Sequence, residues 1–95
     1  MTTDLNRGEL RPYFLWNEDL SIDELQERLT TAPEQEKLRL LAILLREARD
    51  IDVWKFVTPN AVAKVFPQIA HRLGRRRDFW QWLLDGWRQD GYLEF

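Results

Sequence analysis

The stretch from Glu34 to Arg49 constrains the fold more than any other part of the chain. At ~100° per residue, Leu38, Leu40, Leu41, Ala42, Leu44, Leu45 and Ala48 cover roughly 200° or more of a helical circumference. Only Gln35, Arg39 and Arg46 are left on a narrow wetted strip. So apolar a helix must be surrounded, and the pattern predicts a central element on which other helices pack. Its start is marked by Thr31-Ala32-Pro33-Glu34, a capping box whose proline is tolerated because a first-turn N–H has no helical partner to lose.

The flanking segments supply the neighbours. Ser21-Ile22-Asp23-Glu24 is a second capping box, and Ile22, Leu25 and Leu29 repeat at i, i+3 and i+7 to give one apolar stripe down to Thr30. Asp50 to Val57, with Trp54 and Phe56, reads as a short turn or irregular crossing. Thr58-Pro59 opens a further helix in which Val62, Val65, Phe66, Ile69 and Leu73 hold one face. That stripe crosses Pro67 in phase, so either one helix kinks there or Pro67 opens a second helix nearly in line; Gly74 ends it with a left-handed cap. The last helix runs from about Arg75 to Asp90 and stops at Gly91, leaving Tyr92-Leu93-Glu94-Phe95 as an apolar tail.

The expected fold is therefore all-α: four to five helices around the 34–49 helix, in a single helical domain over 12–95, preceded by a polar, flexible arm at 1–11. A chain of 95 residues supports one core and buries only a little over ~60% of its unfolded surface. Without cysteine it has no disulfide or thiolate metal site to add stability. Aromatic residues take that part, with five Trp, five Phe and two Tyr, each able to bury ~150–250 Å².

The net charge of −2 argues against indiscriminate affinity for nucleic acid or anionic membranes. It conceals an asymmetry. Residues 1–36 carry nine acids against three arginines, or −6, whereas 37–95 carry eleven bases against seven acids, or +4. No stretch approaches the ~18 apolar residues of a membrane span and no secretory signal is evident, so a cytoplasmic location is the expectation.

The parts of a recognisable enzyme are missing: there is no phosphate-cradling glycine loop, no nucleophile elbow and no Cys. No catalytic, cofactor-binding or metal-ligating residue is assigned. Asp50 and Asp52 could hold a divalent cation if further oxygen ligands converged, but a polar turn in which Asp52 caps the next segment accounts for them. His71 lies off the apolar stripe, as a solvated residue does.

Arg75, Arg76 and Arg77 are the sharper signal. Three cations in a first helical turn oppose the macrodipole, at ~0.3–1 kcal/mol each when exposed, and call for an anion. That anion is supplied by Asp78, Asp85 and the acidic first third of the chain, by a protein partner, or by nucleic acid. On the same helix Phe79, Trp80, Leu83, Leu84 and Trp87 form the core stripe, while Trp82 points roughly 130° away from its centre. An exposed Trp beside Arg has the composition of an interface anchor. Pro12 introduces Tyr13-Phe14-Leu15-Trp16, an apolar run that either folds back over the core and Trp82 or serves as a docking strip with Tyr13 and Trp16 as its contact residues.

Pro12-Tyr13-Phe14-Leu15-Trp16, Asp52-Val53-Trp54-Lys55-Phe56 and Gly74-Arg75-Arg76-Arg77 with Phe79-Trp80 resemble the landmarks of a family of short bacterial proteins, over roughly Pro12 to Trp87. Such proteins are often encoded beside nucleotidyltransferase-like toxins of the abortive-infection type. The resemblance implies an antitoxin-like or accessory role and carries over no binding residue. Thr58-Pro59-Asn60-Ala61-Val62-Ala63 also looks like the first helix of helix-turn-helix readers. It departs from them in that Pro67 to Leu73 intervenes and the following helix carries Phe79, Trp80, Leu83 and Trp87 instead of a polar reading face. The expectation is a non-enzymatic protein-interaction module, with self-association or a protein partner at Arg75, Arg76, Arg77, Trp82, Tyr13 and Trp16. The alternative is a small nucleic-acid-binding protein using Arg75 to Arg77.

Overall fold

A computed structural model describes residues 1–94. The protein is all-α, with five helices among the described residues: α1 (Ile22–Thr31), α2 (Glu34–Glu47), α3 (Asp50–Val53), α4 (Pro59–Ile69) and α5 (Arg77–Gln89). Two 3-10 turns, Ala70–Arg72 and Gly74–Arg76, link α4 to α5. As the sequence pattern requires, α2 is the centre. Leu40, Leu44 and Leu45 have no accessible surface, and α1, α3, α4 and both 3-10 turns pack on this helix. No helix is long and apolar enough to cross a membrane among the described residues.

Local hydrogen bonds cap α1 and α4, whereas the box expected from Thr31 to Glu34 at the start of α2 does not form: Pro33 is the N-cap without a side-chain hydrogen bond, and the Thr31 hydroxyl donates to the Glu27 carbonyl at 2.9 Å. At α1 the Ser21 hydroxyl accepts from the Glu24 amide at 3.1 Å, and the Glu24 carboxylate accepts from the Ser21 amide at 3.0 Å, completing the reciprocal cap. At α4 the Thr58 hydroxyl accepts from the Ala61 amide, with Pro59 in the first turn. Pro67 lies inside α4 and opens no new helix. The chain then tightens into 3-10 geometry and reverses through Gly74, whose φ of +56° is costly for any residue with a Cβ.

The segment 1–11, expected as a flexible arm, is tied to the fold. Thr2 is bonded to the backbone on both sides of Pro12, donating to the Arg11 carbonyl and accepting from the Tyr13 amide, both at 2.8 Å. The Leu10 and Gly8 carbonyls accept from the Ile22 and Asp23 amides at 2.9 and 3.0 Å, serving two first-turn donors that α1 cannot satisfy internally. Carbonyl acceptors are common to every residue type, so nothing in the polar sequence of the segment announces this role.

Phe14 and Leu15 are buried core residues, and Leu5 packs against the core. Trp54, Trp80 and Trp87 pack together, with the Trp80 and Trp87 ring centroids 5.6 and 5.5 Å from that of Trp54. After α5, Tyr92 is exposed, Leu93 packs on the core, and the Glu94 amide donates to the Asn60 side chain; Phe95 lies outside the described residues.

Candidate interaction surface

The inner face of α5 fixes what its outer face can present. Trp80 is fully buried, and its indole Nε1 donates to the Leu45 carbonyl of α2 at 2.8 Å. Leu84 is buried beneath it, and Phe79, Leu83 and Trp87 pack around the edge. With that stripe anchored, Trp82 is forced outward and is 70% exposed, its ring 6.4 Å from that of Phe79. The Tyr13 to Trp16 strip does not cover it. Phe14 and Leu15 are in the core, and Trp16, 60% exposed, borders a small recess with Ile43 and Arg46 of α2.

Tyr13 is turned inward, a correction to its place on a docking strip. Its hydroxyl donates to Asp52 Oδ2 at 2.6 Å and accepts from the Arg49 amide at 2.8 Å, while the Arg49 guanidinium lies 5.4 Å over the ring. Arg49 Nε also donates to Asp52 Oδ2 at 2.9 Å. Asp52 thus closes an internal latch between the N-terminal segment and the α2–α3 junction. Among the described residues, no group of three acidic or histidine side chains converges as a metal-ligand set would.

The arginine triplet divides. Arg76 is half-buried: it donates to the Ala48 carbonyl at the end of α2, and its guanidinium lies 5.7 and 5.5 Å over the Phe79 and Trp80 rings. It therefore serves as a brace between α2 and α5, not as the surface residue expected. Arg75 and Arg77 are exposed, and neither forms an ion pair among the described residues. The acidic first third does not neutralise them. Its ion pairs go to Arg7, to Arg28 and to Arg39, which holds both Glu18 and Glu36. Asp85 accepts from Gln81 and Arg88 instead.

One concavity includes Arg77 and another lies between other helices. Arg77, Gln81 and Arg88 line one wall of a cleft of about 410 Å³ facing Ala63, Phe66 and Pro67 of α4. A groove of about 230 Å³ between α1, α2 and α4 has a floor of Leu29, Leu38, Leu41, Ala61 and Val65, with Lys37 on the α2 wall and Lys64 on the α4 wall. Sequence reasoning missed this groove because Leu29 and Val65 belong to apolar stripes that read as core. Both are only partly buried, since the short α1 leaves the space beside them open.

Comparison with protein-family models, with curated proteins and with solved structures gives no match in any of the three.

Proposed function

We propose that this chain is a non-enzymatic protein-interaction module whose contact face is the outer side of α5, acting in the antitoxin-like or accessory role that its resemblance implies. The observation that carries the reading is Trp82, 70% exposed on a helix whose other two tryptophans are packed into the fold. Tryptophan offers a large rigid surface at little cost in rotamer entropy, and arginine is the residue most often found beside it at the centre of interfaces. Arg77 at the start of the same helix, and Arg75 in the 3-10 turn leading into it, carry charge with no ion pair among the described residues. Trp82→Ala is expected to abolish capture of partner protein from a native lysate while shifting the melting temperature by no more than about 2–4 °C, because an exposed side chain contributes little to folding. A large fall in melting temperature would assign Trp82 to the core and end the proposal.

Nucleic-acid binding is the second reading, favoured by one observation: Arg75 and Arg77 have no ionic partner among the described residues. Duplex DNA titrated at low salt tests it, and absence of binding there removes it.

A further inference from the structure

The exposed Trp82 and the groove between α1, α2 and α4 match each other in size, polarity and register. An apolar cavity of ~150 Å³ accepts benzene, so a groove of about 230 Å³, with leucine, valine and alanine as its apolar lining and Glu34, Lys37 and Lys64 at its edges, has room for an indole. The flanking charges correspond as well. On α2 the order is Glu34, Lys37, Leu41; leading into and along α5 it is Arg75, Asp78, Trp82. Both series are spaced by three and then four residues, and the charges are opposite at each step. None of Glu34, Lys37, Arg75 or Asp78 forms an ion pair within its own chain among the described residues.

We propose that the partner of Trp82 is a second copy of this chain: the indole of one copy seats in the α1–α2–α4 groove of the next, with α5 running parallel to α2. Arg75 then meets Glu34, Asp78 meets Lys37, and Trp82 lies over Leu41. This deepens the reading of α5 as a contact face and rests on it. Because the knob and the groove are different surfaces, the contact is heterologous and generates a chain or a ring instead of a twofold dimer.

That asymmetry supplies the test. The wild-type protein is expected to show a mean mass in sedimentation equilibrium that rises with concentration beyond 11.5 kDa and beyond twice that value. Trp82→Ala removes the knob, and Ala61→Arg blocks the groove at an exposed position of α4. Each variant alone is expected to stay monomeric with an unchanged helical circular dichroism spectrum, Trp82→Ala weakening association at least ~30-fold, the scale of an interface hot spot. Mixed together they should form a one-to-one complex that grows no further, since one copy keeps its groove and the other its tryptophan. Lys37→Asp should weaken wild-type association, and Asp78→Lys in the same chain should restore it. A wild-type protein that stays monomeric at all concentrations overturns the proposal, as does association that survives Trp82→Ala or a mixture that forms no complex. If the wild type is monomeric yet captures another protein through Trp82, self-docking fails while the interaction role stands.

Discussion

At the scale of single residues, Asp52 is the polar group most deeply committed to the fold, 4% exposed and bonded to Tyr13 and Arg49. Burial is the largest single influence on its carboxyl and pushes the pKa up. The hydrogen bonds from Tyr13 and Arg49, with the charges of Arg49 and Lys55, together outweigh it and hold the group below the usual aspartate value. A carboxylate depressed in the folded state contributes stability that is present above its unfolded pKa of ~3.9 and is lost as pH falls through the folded value. Tyr13 has the opposite sign. Burial, and then its hydrogen bond to Asp52, raise its pKa, so the neutral phenol's contribution holds below ~10 and fades as pH rises through the folded value. In urea titrations Asp52→Asn is expected to be less stable than the wild type at about pH 7, with the gap narrowing as pH falls below the ordinary aspartate range and the wild-type carboxyl takes up its proton. Tyr13→Phe leaves the Asp52 carboxylate and the Arg49 amide each short of a partner and should cost about 1–3 kcal/mol.

At the scale of the element, α5 carries adjacent residues with opposite consequences. Trp80 fills the space against α2 and satisfies the Leu45 carbonyl, so Trp80→Ala should cost about 3–5 kcal/mol. In a domain of this size each kcal/mol moves the melting temperature by about 4–8 °C, and that one change removes most of the margin. The arginines divide in the same manner. Arg76→Ala breaks a charge-assisted bond to the end of α2 and should cost about 1–2 kcal/mol by thermal melting. Arg75→Ala and Arg77→Ala should leave stability level or slightly raised, because each removes a cation from the positive end of the helix dipole. The triplet is uniform in sequence. What separates its members is the 3-10 turn Gly74–Arg76, which aims the middle side chain back under the helix and its neighbours out.

Across the whole molecule, the charge asymmetry of the chain becomes an asymmetry of position. The acidic α1 joins α2 near Glu36 and the basic entry to α5 meets the end of α2 at Ala48, through Arg76, twelve residues or ~18 Å along the helix. That exceeds the ~8 Å screening length of physiological salt, so the two regions act on partners largely as separate fields. One consequence is quantitative. If duplex DNA binds at all, Arg75 and Arg77 provide about two phosphate contacts, because Arg76 is engaged internally, and the log–log salt dependence should have a slope near −2. A slope near −3 or steeper would require a further cation, either Arg76 leaving its brace or the exposed Arg72 joining the contact.

The helical class, the central position of α2, the caps at Ser21 and Thr58, the reversal at Gly74 and the outward direction of Trp82 are all legible in the sequence, because each depends on periodicity or on interactions within a few residues. The tying of 1–11 to α1, the inward turn of Tyr13, the engagement of Arg76 and the groove beside Leu29 and Val65 were decided by the tertiary structure. Tyr13 meets Asp52 across 39 residues of sequence and Arg76 meets Ala48 across 28. A stripe of apolar residues says which way a side chain faces, but only the lengths and packing of neighbouring helices determine whether anything covers it.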